Sequence, residues 1–181
     1  MKQKAGILIL IISVMWMLHT FSKNFMVDPQ FEKFISKKDQ ILTDYNLWIS
    51  MIRIHILLAI ISLITGPLGV IKAIRDKSRN FHRWNGRIYV LSIILNFIPG
   101  VYVSFFATGG LPSIIGFLIL NTLWLTTTIL GFWYIIRQKV MLHSQWIIRS
   151  FFLSFANITI YIIVAISHNL MNFSYGNSYT I

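Results

Sequence analysis

Residues 55–75 read HILLAIISLITGPLGVIKAIR. No charged side chain interrupts the run before Lys72. A hydrocarbon slab about 30 Å thick is crossed by about 20 mostly apolar helical residues. The segment from Trp48 to Ala73 meets that requirement, with Arg53 close to one end and Gly66-Pro67 near the other, where a helix inside a membrane tolerates a kink. The run then ends in charge. Residues 72–87 hold Lys72, Arg75, Lys77, Arg79, Arg83 and Arg87 against a single acid, Asp76.

Four more segments have the same character: Ala5 to Phe21, Ile88 to Phe106, Ser113 to Ile136 and Ile147 to His168. The chain has 181 residues, 56% hydrophobic and 12% charged, and the apolar residues fall in long blocks. A soluble domain carries about twice that share of charge. The expected fold is therefore an all-α integral membrane protein of five transmembrane helices. The chain has no cysteine, which excludes disulfides, thiolate metal sites and cysteine nucleophiles. A net charge of +11 would suit nucleic acid, but no RNA or DNA motif accompanies it. Lys and Arg gather in cytoplasmic loops for reasons of membrane insertion. The N-terminus has the basic and apolar regions of a signal peptide, but Ser22, Lys23, Asn24 and Phe25 offer no small-x-small cleavage site. It reads as an uncleaved first helix over residues 1–22.

Charge orients the bundle. Residues 72–87, and residues 137–149 with Arg137, Lys139 and Arg149, should be cytoplasmic. Residues 107–112 and the uncharged tail 169–181 should lie outside. So should residues 23–47, a small amphipathic cap in which Lys23, Lys33, Lys37 and Lys38 balance Asp28, Glu32, Asp39 and Asp44. The N-terminus is then inside and the C-terminus outside, and residues 48–168 form a four-helix domain from the second to fifth spans.

Polar residues inside a bilayer face the bundle interior. Each of these four spans has one such stripe: His55, Ala59, Ser62 and Gly66; Tyr89, Ser92, Asn96 and Pro99; Asn121, Trp124, Thr128 and Gly131; Ser150, Ser154, Asn157, Tyr161 and His168. The first span has none and should pack outside. No Asp, Glu or Lys lies deep in any span, which speaks against an ion pump or proton-coupled carrier.

Two segments share a pattern. FHRWNGRIYV (81–90) and HSQWIIRSFF (143–152) each place His, Trp and Arg at the basic entrance to an apolar run. In each, Arg is followed five residues later by Ser: Arg87 and Ser92, Arg149 and Ser154. The second and third spans and the fourth and fifth therefore read as parallel repeats, or as two entry segments under the same constraint. His82 and His143 share a level near the inner surface, among Arg75, Arg83, Arg87, Arg137 and Arg149. That field would repel a bare divalent cation and attract a phosphate, a lipid headgroup or haem propionates. No metal site is expected. His55 lies about 10 Å inside the outer end of its span, and Tyr161 comes closest to it in depth. His168 and His19 lie near the outer surface, and His168 differs from His55 by about 10 Å in depth, too far to share a haem iron.

These residues resemble a known family. HILLAIISLITGPLGVIKAIR, HRWNGRIYV and HSQWIIRS, carrying His55, Gly66-Pro67, Arg75, His82-Arg83, Gly86-Arg87, Tyr89, His143, Trp146 and Arg149-Ser150, resemble the bacterial membrane proteins grouped as domain-of-unknown-function family 2306. The resemblance covers about residues 50 to 165. Ser144 and Ile147 depart from it, where Arg and Met are usual. It implies a multi-helix fold in a bacterial cytoplasmic membrane and no established activity.

Two functional readings stand. In the first, a redox-associated protein binds haem b or a quinone through His55, His82, His143 and Tyr161, with Arg75, Arg83, Arg87 and Arg149 holding anionic groups. In the second, a non-catalytic membrane module (an assembly factor, or a solute or lipid carrier) uses the inner Arg/His cluster to bind an anionic headgroup. Membrane partner proteins or a second copy are compatible with either. Hydrolase motifs are missing, and the sequence does not decide whether the chain is an enzyme.

Overall fold

A computed structural model describes residues 3–36, 38, 42–174 and 176–179. Lys37 and Asp39 of the expected amphipathic cap, and Tyr175, Thr180 and Ile181 of the tail, lie outside the described residues. The elements are α1 (Gln3–Phe21), continued by a π-turn (Ser22–Val27), α2 (Glu32–Ile35), α3 (Tyr45–Val70), α4 (Lys72–Lys77), α5 (Arg79–Ser104), α6 (Gly110–Ile136), α7 (Val140–Leu153), α8 (Ala156–Asn169) and a 3₁₀ turn (Asn177–Tyr179). Among the described residues there is no strand. Five stretches are long and apolar enough to cross a membrane: Ala5–Val27, Tyr45–Val70, Arg79–Ser104, Gly110–Ile136 and Val140–Asn169.

Two helices begin earlier than apolarity predicts. α5 starts at Arg79 rather than Ile88, and α7 at Val140 rather than Ile147. Backbone hydrogen bonding is indifferent to side-chain charge, so a helix continues past the apolar boundary until a cap stops it. For α5 the cap is Ser78, whose side chain accepts from the Phe81 N–H at 3.2 Å. The segments around His82 and His143 are therefore helical, standing about two turns beyond the apolar core. Asp44 caps α3 in the same way, accepting from the Leu47 N–H at 3.0 Å.

α3 packs most extensively on α5, and α6 on α7. α5 also lies along α6, and α7 touches α3, closing a four-helix bundle. α1 packs on α3 from outside, with Ser13 fully buried in that contact. Glycine lets the helices approach. A Cβ on Gly66 would stand 2.3 Å from the Phe151 ring, and one on Gly131 would stand 2.7 Å from the Ile147 side chain.

The fifth span is broken. Ser154 and Phe155 take i→i−3 backbone bonds, and the Ser154 hydroxyl donates to the Phe151 carbonyl at 2.6 Å. This tighter turn changes the face that α8 presents. The expected stripe fails past the break: Asn157, Tyr161 and His168 are exposed, while Val164 and Ser167 are buried.

At the end of the bundle opposite the Arg-rich loops, the segment before α3 folds back over it. Phe31, held in the left-handed region at φ 56°, packs with Trp48, Ile49 and Ile52. Asp28 carboxylate oxygens accept from the Glu32 and Lys33 N–H groups, starting α2. Arg53 donates to the Pro29 carbonyl at 2.6 Å, which anchors the cap to α3.

Candidate functional site

The bundle interior holds a chain of hydroxyls. Tyr89 on α5 bonds Ser150 on α7 at 2.8 Å, and Ser150 bonds Thr128 on α6 at 2.6 Å. Thr128 also reaches the Trp124 carbonyl at 2.7 Å. Three helices are thus tied at mid-bundle by one serine. Ser150→Val takes a partner from two buried hydroxyls, Tyr89 and Thr128, the latter keeping the Trp124 carbonyl. It is expected to destabilise the protein by about 1–2 kcal/mol, since hydrogen bonds between membrane helices average about 0.6 kcal/mol and reach about 1.7 kcal/mol. Unfolding in mixed detergent micelles measures this; adding Tyr89→Phe to the serine variant should cost less than Tyr89→Phe alone.

Further from the basic end, His55 on α3 lies beside the Asn96 amide on α5, near enough for the two to interact. The approach falls short of hydrogen-bond geometry: the His55 Nδ1 and both Asn96 amide atoms are buried without partners. Trp124 Nε1, on α6, is a third buried donor that falls short of hydrogen-bond geometry, with the Tyr89 hydroxyl near it. Such groups are uncommon in folded interiors and call for a water or a polar ligand. Asn121 behaves differently, donating to the Ser104 hydroxyl at 3.2 Å and resting against Gly100.

Tyr161 does not join His55. The break before α8 turns it toward α1, where it sits edge-on to Trp16 and His19 with ring centroids 5.6 and 5.9 Å away. No hydrogen bond links Tyr161 and His55 among the described residues. His168 lies at the exposed end of α8, with Nδ1 on the Phe173 carbonyl at 2.9 Å.

At the basic end, His82 on α5 is within electrostatic range of both His143 on α7 and Arg75 on α4. Both imidazoles are half-buried. His143 Nδ1 donates to the Gly131 carbonyl at 2.8 Å, since a carbonyl can only accept. That bond fixes the ring and leaves Nε2 for another partner. His82 Nδ1 is buried and unpartnered. The guanidiniums around them are exposed. Arg87 stacks over Trp84 at 4.9 Å, Arg149 over Trp146 at 4.6 Å, and Arg137 over Trp133 at 4.0 Å. Arg75 lies 3.7 Å from Asp76. The W-x-x-R spacing of the two sequence segments thus becomes the same Trp–Arg pair on α5 and on α7.

Asn85 belongs to this end as well and was missed from sequence. It is buried and donates to the Thr65 carbonyl of α3 at 2.7 Å. The available signal was its position, one turn after His82 on the same helical face.

These features define a multi-pass, all-helical membrane protein with a polar interior and a basic mouth. The chain belongs to the predicted membrane protein family DUF2306, whose sequence model matches residues 52–181. The match begins within α3 and includes the tail, so it takes in both histidine segments and all of the four-helix bundle past the first two turns of α3. No curated protein and no solved structure matches the chain.

Proposed function

We propose that this protein binds an anionic lipid headgroup at its basic mouth, which the positive-inside rule assigns to the cytoplasmic surface. The observation that carries the reading is the approach of His82 to His143. They come from separate helical hairpins, His82 is also within electrostatic range of Arg75, and its Nδ1 is left open. A phosphate seated between the two rings would accept hydrogen bonds from the guanidiniums around them. Arg83, which lies on the first turns of α5 beside His82, supplies a further guanidinium, and Arg75 a second. The Trp84–Arg87 and Trp146–Arg149 pairs stand at the same basic end, and tryptophan is enriched at membrane–water interfaces.

The test uses the full chain in nanodiscs of phosphatidylcholine with or without phosphatidylglycerol, with bound lipid counted by native mass spectrometry. Wild type should retain phosphatidylglycerol in preference. Arg83→Gln should weaken retention about fivefold, because a basic residue near an anionic surface contributes about 1 kcal/mol. His82→Ala with His143→Ala should abolish the preference. Equal retention of the two lipids by wild type, or a preference that survives these variants, would overturn the reading.

A second reading rests on His55 and Asn96. Their open polar atoms suit a ring carbonyl of the quinone class, which accepts from an amide or imidazole N–H. They suit haem b poorly, because the neighbour of His55 is an amide rather than an opposed imidazole. Organic extraction of purified protein separates the two readings. Stoichiometric quinone lost in Asn96→Leu supports the second, and its absence from wild type excludes it.

A further inference from the structure

We propose that the groove between α6 and the α7–α8 break is a resident site for one acyl chain of a membrane lipid. It lies in the leaflet opposite the basic mouth and is independent of the headgroup site. Near the basic end α6 and α7 are in close contact, with Gly131 against Ile147. Past Ser154–Phe155, α8 instead leans toward α1 through Tyr161, and α6 loses its neighbour. The gap is a cavity of about 580 Å³ lined by Ser113, Gly116, Leu120, Leu153, Thr159 and Tyr179 together with Phe117 and Phe152. The groove is open along one side, as a site filled from the bilayer must be.

Three observations identify the occupant. The first is length. From Ser113 to Leu120 the groove follows α6 for about 10 Å, within the roughly 15 Å of one hydrocarbon leaflet. Its floor is Leu153, which packs on the Tyr89–Trp124 cluster and stops the groove near mid-membrane. A chain confined to one leaflet fits; a polyisoprenoid tail longer than a leaflet does not. The second is polarity. No charged residue lines the groove, and the Ser113 hydroxyl at its mouth is engaged by the Tyr179 carbonyl at 3.0 Å. Selection is therefore for the chain and not for a charged head. The third is Gly116. A Cβ there would meet nothing within 4 Å, as at Gly86, whereas one on Gly66, Gly100 or Gly131 would collide with a packed neighbour. Mid-helix glycine costs about 1 kcal/mol relative to alanine in soluble helices. At Gly116 no neighbouring helix takes up the space released, so it is left to the groove.

Gly116→Phe puts a ring into the groove without a backbone clash, and Thr159→Phe does so from the opposite wall. The full chain is purified, delipidated in mild detergent, and reloaded from phosphatidylcholine vesicles; retained lipid is counted by native mass spectrometry. Wild type should hold one phosphatidylcholine per chain, and each plugged variant should hold it at least tenfold less, with melting temperature unchanged or raised. His82→Ala with His143→Ala should leave this lipid in place, so failure here and failure of the headgroup reading are distinguishable. Equal retention by wild type and both plugged variants would overturn the proposal. So would recovery of a quinone in place of phosphatidylcholine from the wild-type groove.

Discussion

Trp48→Ala should lower stability by about 3–5 kcal/mol, the range for removing a large aromatic from a packed core. Trp48 is fully buried at the end of the bundle away from the basic mouth. Phe31 meets its ring edge-on at 5.8 Å, Phe34 stacks on it at 5.9 Å, and the Lys38 ammonium stands 5.0 Å from its centroid. Lys38 also donates to the Phe106 carbonyl, so the cap is tied to the end of α5 through the same cluster. Alanine would leave a cavity that α2 cannot collapse into, because Asp28 and Phe31 hold its start. The expected result is an earlier unfolding transition together with faster proteolysis between residues 28 and 44. Trp48→Phe is the discriminating control. The Trp48 Nε1 is buried without a partner, so phenylalanine loses area but no hydrogen bond and should cost well under the alanine variant. Similar losses for both variants would show that the indole N–H, not packing, holds the cap.

Gly66→Leu should be the most damaging substitution at the bundle centre. The Phe151 ring that its Cβ would strike is 2% exposed and has no free space to retreat into. Overpacking of this kind costs about 1–3 kcal/mol and sometimes more. Here it also drives α3 from α7, the contact that closes the four-helix ring. Because Ser150 neighbours Phe151 in sequence, the same displacement loosens the Tyr89–Ser150–Thr128 chain. A double variant with Phe151→Leu should recover part of the loss, with a coupling above about 0.5 kcal/mol. Strict additivity in detergent unfolding would place the damage elsewhere in α3.

Much of the bundle was legible from residue spacing. The α5 stripe of Tyr89, Ser92, Asn96 and Pro99 is buried at all four positions, and Trp124, Thr128 and Gly131 are buried on α6. A bilayer leaves helices few options, so apolar length and one polar face nearly define a span. The fifth span misled the reading because a continuous helix was assumed. Its stripe holds as far as Ser154 and is lost beyond, where a local turn set by two i→i−3 bonds changes the outward face. Nothing in the composition of FFLSFAN announces that turn. Tyr161 consequently belongs with Trp16 and His19 rather than with His55.

The sequence by itself determined the number of spans, the inward face of the unbroken helices, and which loops carry the charge. Those properties are set by transfer from water to hydrocarbon, residue by residue, and that free energy is nearly local. Only the tertiary structure decided what meets what. It brought His82 toward His143 from separate hairpins, left His55 and Asn96 without bonds, and opened a groove where α8 leaves α6. Pairings of this kind depend on helix rotation and on one broken turn, and a helical stripe specifies the face of a helix without naming its neighbour.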